Sequence, residues 1–385
     1  MLGELTAYVD GKTPEMLAFL ERLVNLDSGT YDKAGVDRVG AILADRLEAL
    51  GFTIDRVPQI EYGDHLVARK QGSGERRLLF IGHMDTVFPT GTVAARPFRL
   101  ADGRAYGPGV LDMKGGLTCL LYALEALKVT GDPAYEVVPM SAVLNSEEEA
   151  LSPTSRPIIE LEARRSHAAC VYEPARPGGE LVVARKGVGK YVLGVRGRAS
   201  HAGSQPEWGR SAILELAHKI IALHALSEGG ATVNVGVVRG GERSNIVPEF
   251  ALAEVDVRAT SNEEARRLNE EIRRIAAETT VPDTTAEVSG DLAFPVMERT
   301  PRSARMFEAV QAAGRSLGLE LRGISTGGGS DGNHTSQYVP TIDGMGPKGS
   351  EAHSDREYIE VESLAERTKL TALFLASWPE VAGSV

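Results

Sequence analysis

Leu78-Leu79-Phe80-Ile81-Gly82-His83-Met84-Asp85 is the stretch that decides the fold class. An apolar run with no polar interruption ends abruptly in a histidine and an aspartate. Such a short continuous run reads as a strand buried on both faces, the kind found in parallel sheets flanked by helices. On either side, strand-like and helix-like segments alternate. Upstream, Thr13 can cap a helix with Pro14 in its first turn and apolar residues at helical spacing through Val24. A second helix is expected over Gly35–Leu50, and strands over Thr53–Val57 and Leu66–Lys70. Downstream come a helix over Gly116–Val129 and strands over Val137–Leu144, Ala168–Tyr172 and Leu181–Lys186. This alternation predicts an α/β fold: a mostly parallel sheet with helices on both faces.

Between Gly187 and Val296 the order changes to β-α-β-β-α-β, which fits a compact ferredoxin-like α+β module. Helix–strand alternation then resumes. The expected organisation is therefore one α/β domain over 1–186 and 297–385, interrupted by a smaller α+β insert over 187–296.

Composition narrows the function. The chain has 385 residues, 42% hydrophobic and 25% charged, with a formal net charge of −11. That balance argues against nucleic acid, whose phosphates are held by clustered Lys and Arg. Only two cysteines occur, Cys119 and Cys170, each in an apolar run. This excludes a disulfide framework and thiolate metal clusters and points to a reducing, cytoplasmic setting. No secretory signal is visible, and no apolar stretch approaches the ~20 residues that span a bilayer.

Histidines and carboxylates gather at the ends of the expected strands, where open α/β sheets bind ligands. His83 and Asp85 stand two apart, so on extended backbone they point to one side. The His can then ligate a metal while the Asp holds its other ring nitrogen; taken alone, the pair reads equally as coincidence. Gly107-Pro108-Gly109-Val110-Leu111-Asp112-Met113-Lys114-Gly115-Gly116 crowds glycines around Asp112, which can bridge two cations or simply cap the following helix. Asn145-Ser146-Glu147-Glu148-Glu149 places three carboxylates after a buried strand, where they repel one another unless cations intervene. Glu173 ends another apolar strand, and His353 precedes the last helix. Oxygen and nitrogen donors without thiolate suit zinc, manganese or cobalt, and their number suits a two-metal hydrolytic site. Gly327-Gly328-Gly329-Ser330-Asp331-Gly332 formally satisfies the dinucleotide fingerprint, but lacks the βαβ context that gives that fingerprint meaning.

Taken together, Gly82-His83-Met84-Asp85-Thr86-Val87, the segment around Asp112, the Glu147–Glu149 run, Tyr172-Glu173-Pro174 and Glu351-Ala352-His353-Ser354-Asp355-Arg356-Glu357-Tyr358-Ile359 resemble the aminoacylase-type di-zinc metallopeptidases, closest to their glutamate carboxypeptidase branch. The resemblance covers nearly the whole chain. It implies that His83 and Glu173 complete one metal site and Glu149 and His353 the other, with Asp112 bridging two Zn²⁺ ions (Co²⁺ or Mn²⁺ as alternatives). Asp85 would orient His83, and Glu148 would be the general base toward the bridging water. Where the family has Asp-Glu-Glu this chain has three glutamates, and a slip of one residue would move base and ligand to Glu147 and Glu148. A cis peptide is expected between Asp112 and Met113. The resemblance also makes 1–186 with 297–385 the catalytic domain and 187–296 a lid that mediates dimerisation. In that lid, His201 would stabilise the oxyanion in the partner subunit of a homodimer, while Asn245 and Arg258 would contact the substrate, Arg258 as a clamp for its carboxylate.

The function so implied is hydrolysis of an amide or peptide bond next to a free carboxylate, in an acyl-amino acid or peptide. A deacylase of the acetylornithine or succinyl-diaminopimelate type shares the same chemistry and stands as the alternative. A catalytically silent binding module is the alternative from another class.

Overall fold

The computed structural model describes residues 2–385. Along the chain run α1 (Leu2–Val24), α2 (Lys33–Ala49), β1 (Thr53–Val57), β2 (His65–Lys70), β3 (Leu78–His83), β4 (Arg99–Ala101), β5 (Arg104–Tyr106), α3 (Gly116–Val129), β6 (Met140–Asn145), α4 (Arg156–Arg164) and β7 (Ala168–Val171). There follow β8 (Gly187–Arg196), α5 (Ala212–His224), β9 (Thr232–Gly240), β10 (Phe250–Ala259), α6 (Asn262–Ala277) and β11 (Thr285–Phe294). The chain closes with α7 (Pro301–Arg315), β12 (Thr341–Ile342), β13 (Gly349–Ser350), β14 (Tyr358–Glu360) and α8 (Val361–Val381). The chain divides into two compact units: Met1–Ala184 with Arg299–Ser325 and Ser330–Val385, and Arg185–Glu298 with Thr326–Gly329.

The first unit is built on a six-stranded sheet of order β1-β2-β6-β3-β7-β12. The pairings β6–β3, β3–β7 and β7–β12 are parallel, while β1–β2 and β2–β6 are antiparallel. The mostly parallel sheet read from Leu78–Asp85 is thus present. Alternation along β3 shows why its apolar run is continuous. Leu78 and Phe80 join the core under α1, α2, α3 and α8, whereas Leu79 and Ile81 face Ile159 and Ala163 of α4. Both faces are covered by helices, so every β3 side chain is buried.

Two element boundaries differ from the sequence expectation. The first helix starts at Leu2, not at Thr13, and Pro14 lies inside it. The buried stripe Leu5, Val9, Met16 and Leu20 runs straight through this position, and that burial outweighs the one backbone bond a proline removes. Strand β6 begins at Met140, because Ala134–Val137 form a short helical turn ahead of Pro139.

The second unit is a four-stranded antiparallel sheet of order β9-β10-β8-β11, with α5 and α6 packed on it. The β-α-β-β-α-β order is the ferredoxin-like module expected for the insert. From Ala251 onward strand β10 alternates strictly between buried and half-buried residues, which fixes its register, Val255 opposite Tyr191 on β8. Ser211 and Ser261 cap the two helices, accepting from the N–H of Leu214 and Glu264. The loop Thr326–Gly329 belongs to this unit, where Arg185 donates to the carbonyls of Gly328 and Gly329.

Candidate metal centre

Parallel strands deliver the site. β3 and β6 run side by side with His83 opposite Asn145, so the residues that follow each strand emerge at the same edge of the sheet. β7 lies on the other flank of β3 and leads into Glu173. Asp112 arrives on the irregular turn Val110–Gly115, where Asp112 and Met113 depart from helical dihedrals and are joined by a cis peptide. Gly109 there has φ 72°, and a Cβ on Gly116 would fall 1.9 Å from the carbonyl oxygen of Tyr172. The glycines are what let this segment press against the strand ends.

The side chains converge. His83 Nε2 lies 3.1 Å from Asp112 Oδ1 and 3.6 Å from Glu173 Oε1. His353 Nε2 lies 3.3 Å from Asp112 Oδ2 and 3.3 Å from Glu149 Oε2. The ligand atoms of His83, Asp112 and Glu149, and those of His83, Glu148 and Glu173, each lie within 4.8 Å of one another. Asp112 therefore offers one oxygen to each imidazole.

Tautomers follow from the hydrogen bonds. Nδ1 of His83 faces the carbonyl of Asp85 at 3.0 Å, which can only accept, so this nitrogen carries a proton and Nε2 is the one turned to the cluster, where a metal would displace its proton. Asp85 is itself buried and held. It accepts from the Thr30 hydroxyl at 2.7 Å and from the N–H groups of Glu148 and Glu149 at 3.2 and 3.3 Å.

The three glutamates part company. Glu147 is fully buried, and its carboxylate accepts from Thr154 N at 3.0 Å, Ser155 N at 3.1 Å and the Ser155 hydroxyl. It is spent on the turn that enters α4. Glu148 and Glu149 face the cluster.

The electrostatics are those of a crowded set of carboxylates. Burial, then the charge of Glu173, raise the Glu148 carboxyl well above its ordinary range. Burial likewise raises Glu149. Hydrogen bonds to Asp112 and Glu149 raise His353 to about 10. At His83, burial lowers proton affinity, but bonds to Asp112 and Asp85 outweigh it and hold the pKa well above 6.5.

This donor set fits two divalent cations. Ligands about 2.0–2.1 Å from a tetrahedral metal stand roughly 3.3 Å apart, and the His–carboxylate separations run from 3.1 to 3.6 Å. Glu149 Oε1 is buried with no hydrogen-bond partner among the described residues. Four carboxylates around two imidazoles leave a surplus of negative charge that cations neutralise.

In the second unit, the backbone bridge between His201 and Ile246 and the bond from Ala202 N to the Asn245 carbonyl, 3.0 Å, bring the His201 and Asn245 segments together. Nδ1 of His201 accepts from the N–H groups of Gly203 and Ser204, both at 3.1 Å, so its proton sits on the exposed Nε2, ready to donate. Arg258 is already engaged: Nε and one terminal nitrogen bind the two Asp256 oxygens at 2.9 and 3.0 Å, and the other reaches the Gly327 carbonyl at 3.3 Å.

Two buried acids to which sequence reading gave no role support the centre. Asp331 accepts from Ser152 Oγ at 2.5 Å and from the Asn145 side chain, bracing the Glu148–Glu149 turn from below; burial raises its pKa to about 7. Glu357 binds the loop that carries Asp112. Asp331 lies in the Gly327–Gly332 motif and Glu357 in the Glu351–Ile359 stretch, but neither stretch shows what its carboxylate will brace.

A family model described as peptidase family M20/M25/M40 matches residues 79–377. Carboxypeptidase G2 of Pseudomonas sp. (strain RS-16) is 31% identical over 370 residues, which cover 93% of this chain and 88% of the relative. A succinyl-diaminopimelate desuccinylase of Delftia acidovorans (strain DSM 14801 / SPH-1) is 29% identical over 375 residues, covering 90% of this chain and 94% of that one. Among solved structures, the aminopeptidase PepT from Bacillus cereus ATCC 10987 matches with a TM-score of 0.78 at 23% identity, over 96% of this chain and 99% of that one. At that identity the likeness speaks for the fold.

Proposed function

Since the chain belongs to peptidase family M20/M25/M40 and is a metal-dependent hydrolase, we propose that it cleaves an amide or peptide bond next to a free carboxylate, in the manner of a glutamate carboxypeptidase. One observation carries the proposal: His83, Asp112, Glu149, Glu173 and His353 converge from five separate segments around Glu148. His83 and Glu173 would hold one ion, His353 and Glu149 the other, and Asp112 both; the all-N/O donor set favours Zn²⁺. Ions bound there polarise a scissile carbonyl and acidify water.

The chain's own groups supply the rest. Glu148 takes a proton from the attacking water and returns it to the leaving amine; its burial beside Glu173 raises its proton affinity toward the range such a shuttle needs. Asp85 fixes the His83 ring. His201 of the partner subunit would donate from Nε2 to the developing oxyanion. Asn245 would hold the substrate. Arg258 would exchange its Asp256 pairing for the substrate carboxylate, since both partners offer the same bidentate geometry.

A homodimer through the second unit is supported by its uncovered apolar side chains, Ile213, Leu214 and Ile221 on α5 and Val238 on the edge strand β9. Cytoplasmic placement is supported by the two buried, unpaired cysteines. Among the described residues no helix is long and apolar enough to cross a membrane. The desuccinylase relative, similar along nearly the whole chain, keeps N-acyl-amino acid deacylation as the second reading.

The test is amine release from a panel of N-acyl-glutamates, dipeptides and succinylated amines. Protein stripped by a chelator should be silent and should recover with zinc, cobalt or manganese. Amidating the substrate's carboxylate should lower kcat/KM at least tenfold. Equal rates on free and amidated substrates would overturn the proposed specificity, and turnover undiminished by complete metal removal would overturn the mechanism.

A further inference from the structure

Asp112 and His353 lie 241 positions apart in sequence, yet their side chains stand 3.3 Å apart. The imidazole contacts only account for one end of that relationship. His353 is half exposed, sits on a loop with φ 62°, and among the described residues forms ion pairs with Asp112 and Glu149. Something must hold its loop against the turn that presents Asp112.

Glu357 does so. It lies four residues after His353 and is 1% exposed. Its Oε1 accepts from the N–H groups of Leu111 and Asp112, and its Oε2 from that of Gly109, each at 2.9 Å. The next residue, Tyr358, enters β14 and pairs with Tyr106 of β5, directly before the Gly107–Asp112 turn. β14 also pairs with β13, just ahead of the His353 loop. The His353 loop and the Asp112 turn are thus both hung from one small sheet, and Glu357 stitches their free ends. The Lys114 ammonium, buried and bonded to the Leu26 carbonyl, opposes the Glu357 charge from the same turn.

We infer that Glu357 is a positioning residue that sets the spacing between Asp112 and His353, and through it the geometry of the metal pair. This rests on the metallohydrolase reading above. A carboxylate alone can accept from three N–H groups on two sides. A glutamine in its place turns an NH₂ toward at least one of them, and the Asp112 turn shifts away.

The experiment titrates chelator-stripped protein with zinc against a chromophoric chelator and records the visible spectrum with cobalt. Wild-type protein should bind two ions per chain. Glu357→Gln should weaken zinc binding about 10–100-fold, the range for outer partners of metal ligands, and alter the cobalt bands. Glu357→Asp keeps the charge with a shorter reach and should fall between the two. Glu215→Gln is the control for a purely structural carboxylate: Glu215 is equally buried and accepts from Thr280 N and Val281 N in the second unit. It should lower the melting temperature and leave zinc affinity unchanged. Wild-type zinc affinity and cobalt bands in Glu357→Gln would overturn the inference, as would equal losses in Glu215→Gln. If Glu357→Gln does not fold, unchanged affinity and bands in Glu357→Asp overturn it. Absence of zinc binding by the wild-type protein would sink the metallohydrolase reading instead.

Discussion

Nδ1 of His83 lies 3.0 Å from the carbonyl of Asp85 and 3.3 Å from its carboxylate, so a residue two positions along the chain grips the imidazole on the side away from Asp112. The carboxylate also anchors the backbone of Glu148 and Glu149. Asp85→Asn should therefore disturb ring and turn together, lowering zinc affinity about 10–100-fold. Chelator competition measures this directly; wild-type affinity in the variant would remove Asp85 from its orienting role.

Glu147 and Glu148 are neighbours with opposite expected phenotypes. Glu147→Gln disrupts a buried carboxylate that accepts from Thr154 and Ser155, and should cost about 1–3 kcal/mol in urea unfolding while folded protein still turns over. Glu148→Gln should leave stability and metal content near wild type and lower kcat about 10²–10⁴-fold. The reverse pattern would shift the general base to Glu147.

Stability should fall in mild acid through His65. This ring is buried between Ser146 and Thr154, and burial pushes its pKa down to about 4. In the unfolded chain it titrates near 6.5. Above that pH both states are neutral and nothing is lost. As pH falls from about 6.5 to 4, the unfolded chain gains a proton that the fold refuses, and stability drops by up to about 3 kcal/mol. His65→Gln should flatten that part of the profile, measured as the difference between variant and wild type. Parallel profiles would exclude His65 as the source.

The exposed face of α5 makes a separate prediction. Ile221 is 71% exposed, so Ile221→Asp should leave the melting temperature within about a degree while converting a dimer to a monomer in sedimentation. A wild-type protein that sediments as a monomer at micromolar concentration would end the dimer proposal.

Much of this arrangement was legible because its signals are local. The uninterrupted apolar run of β3 announced burial on both faces, and His83 at its end announced the site. Glycines flanking Asp112 announced close approach. What stayed hidden was long-range or cooperative. Pro14 looked like a helix start because its own turn is all that sequence displays, whereas the Leu5–Leu20 stripe that carries the helix through it depends on a core formed elsewhere. Among Glu147, Glu148 and Glu149, only the bonds from Thr154 and Ser155 tell which one is withdrawn. Glu357, one acidic residue in a polar loop, acquires meaning only when the turn 245 positions upstream folds against it.

The shared carboxylate of Asp112 has a last consequence. Each of its oxygens serves a different imidazole, so the two halves of the cluster communicate through three covalent atoms. Charge gained on one side is felt at once on the other, so a cation held by one half would weaken the pull of the shared carboxylate on a second. Retuning one position without the other would have to begin at Glu173 or Glu149, the members that belong to a single half.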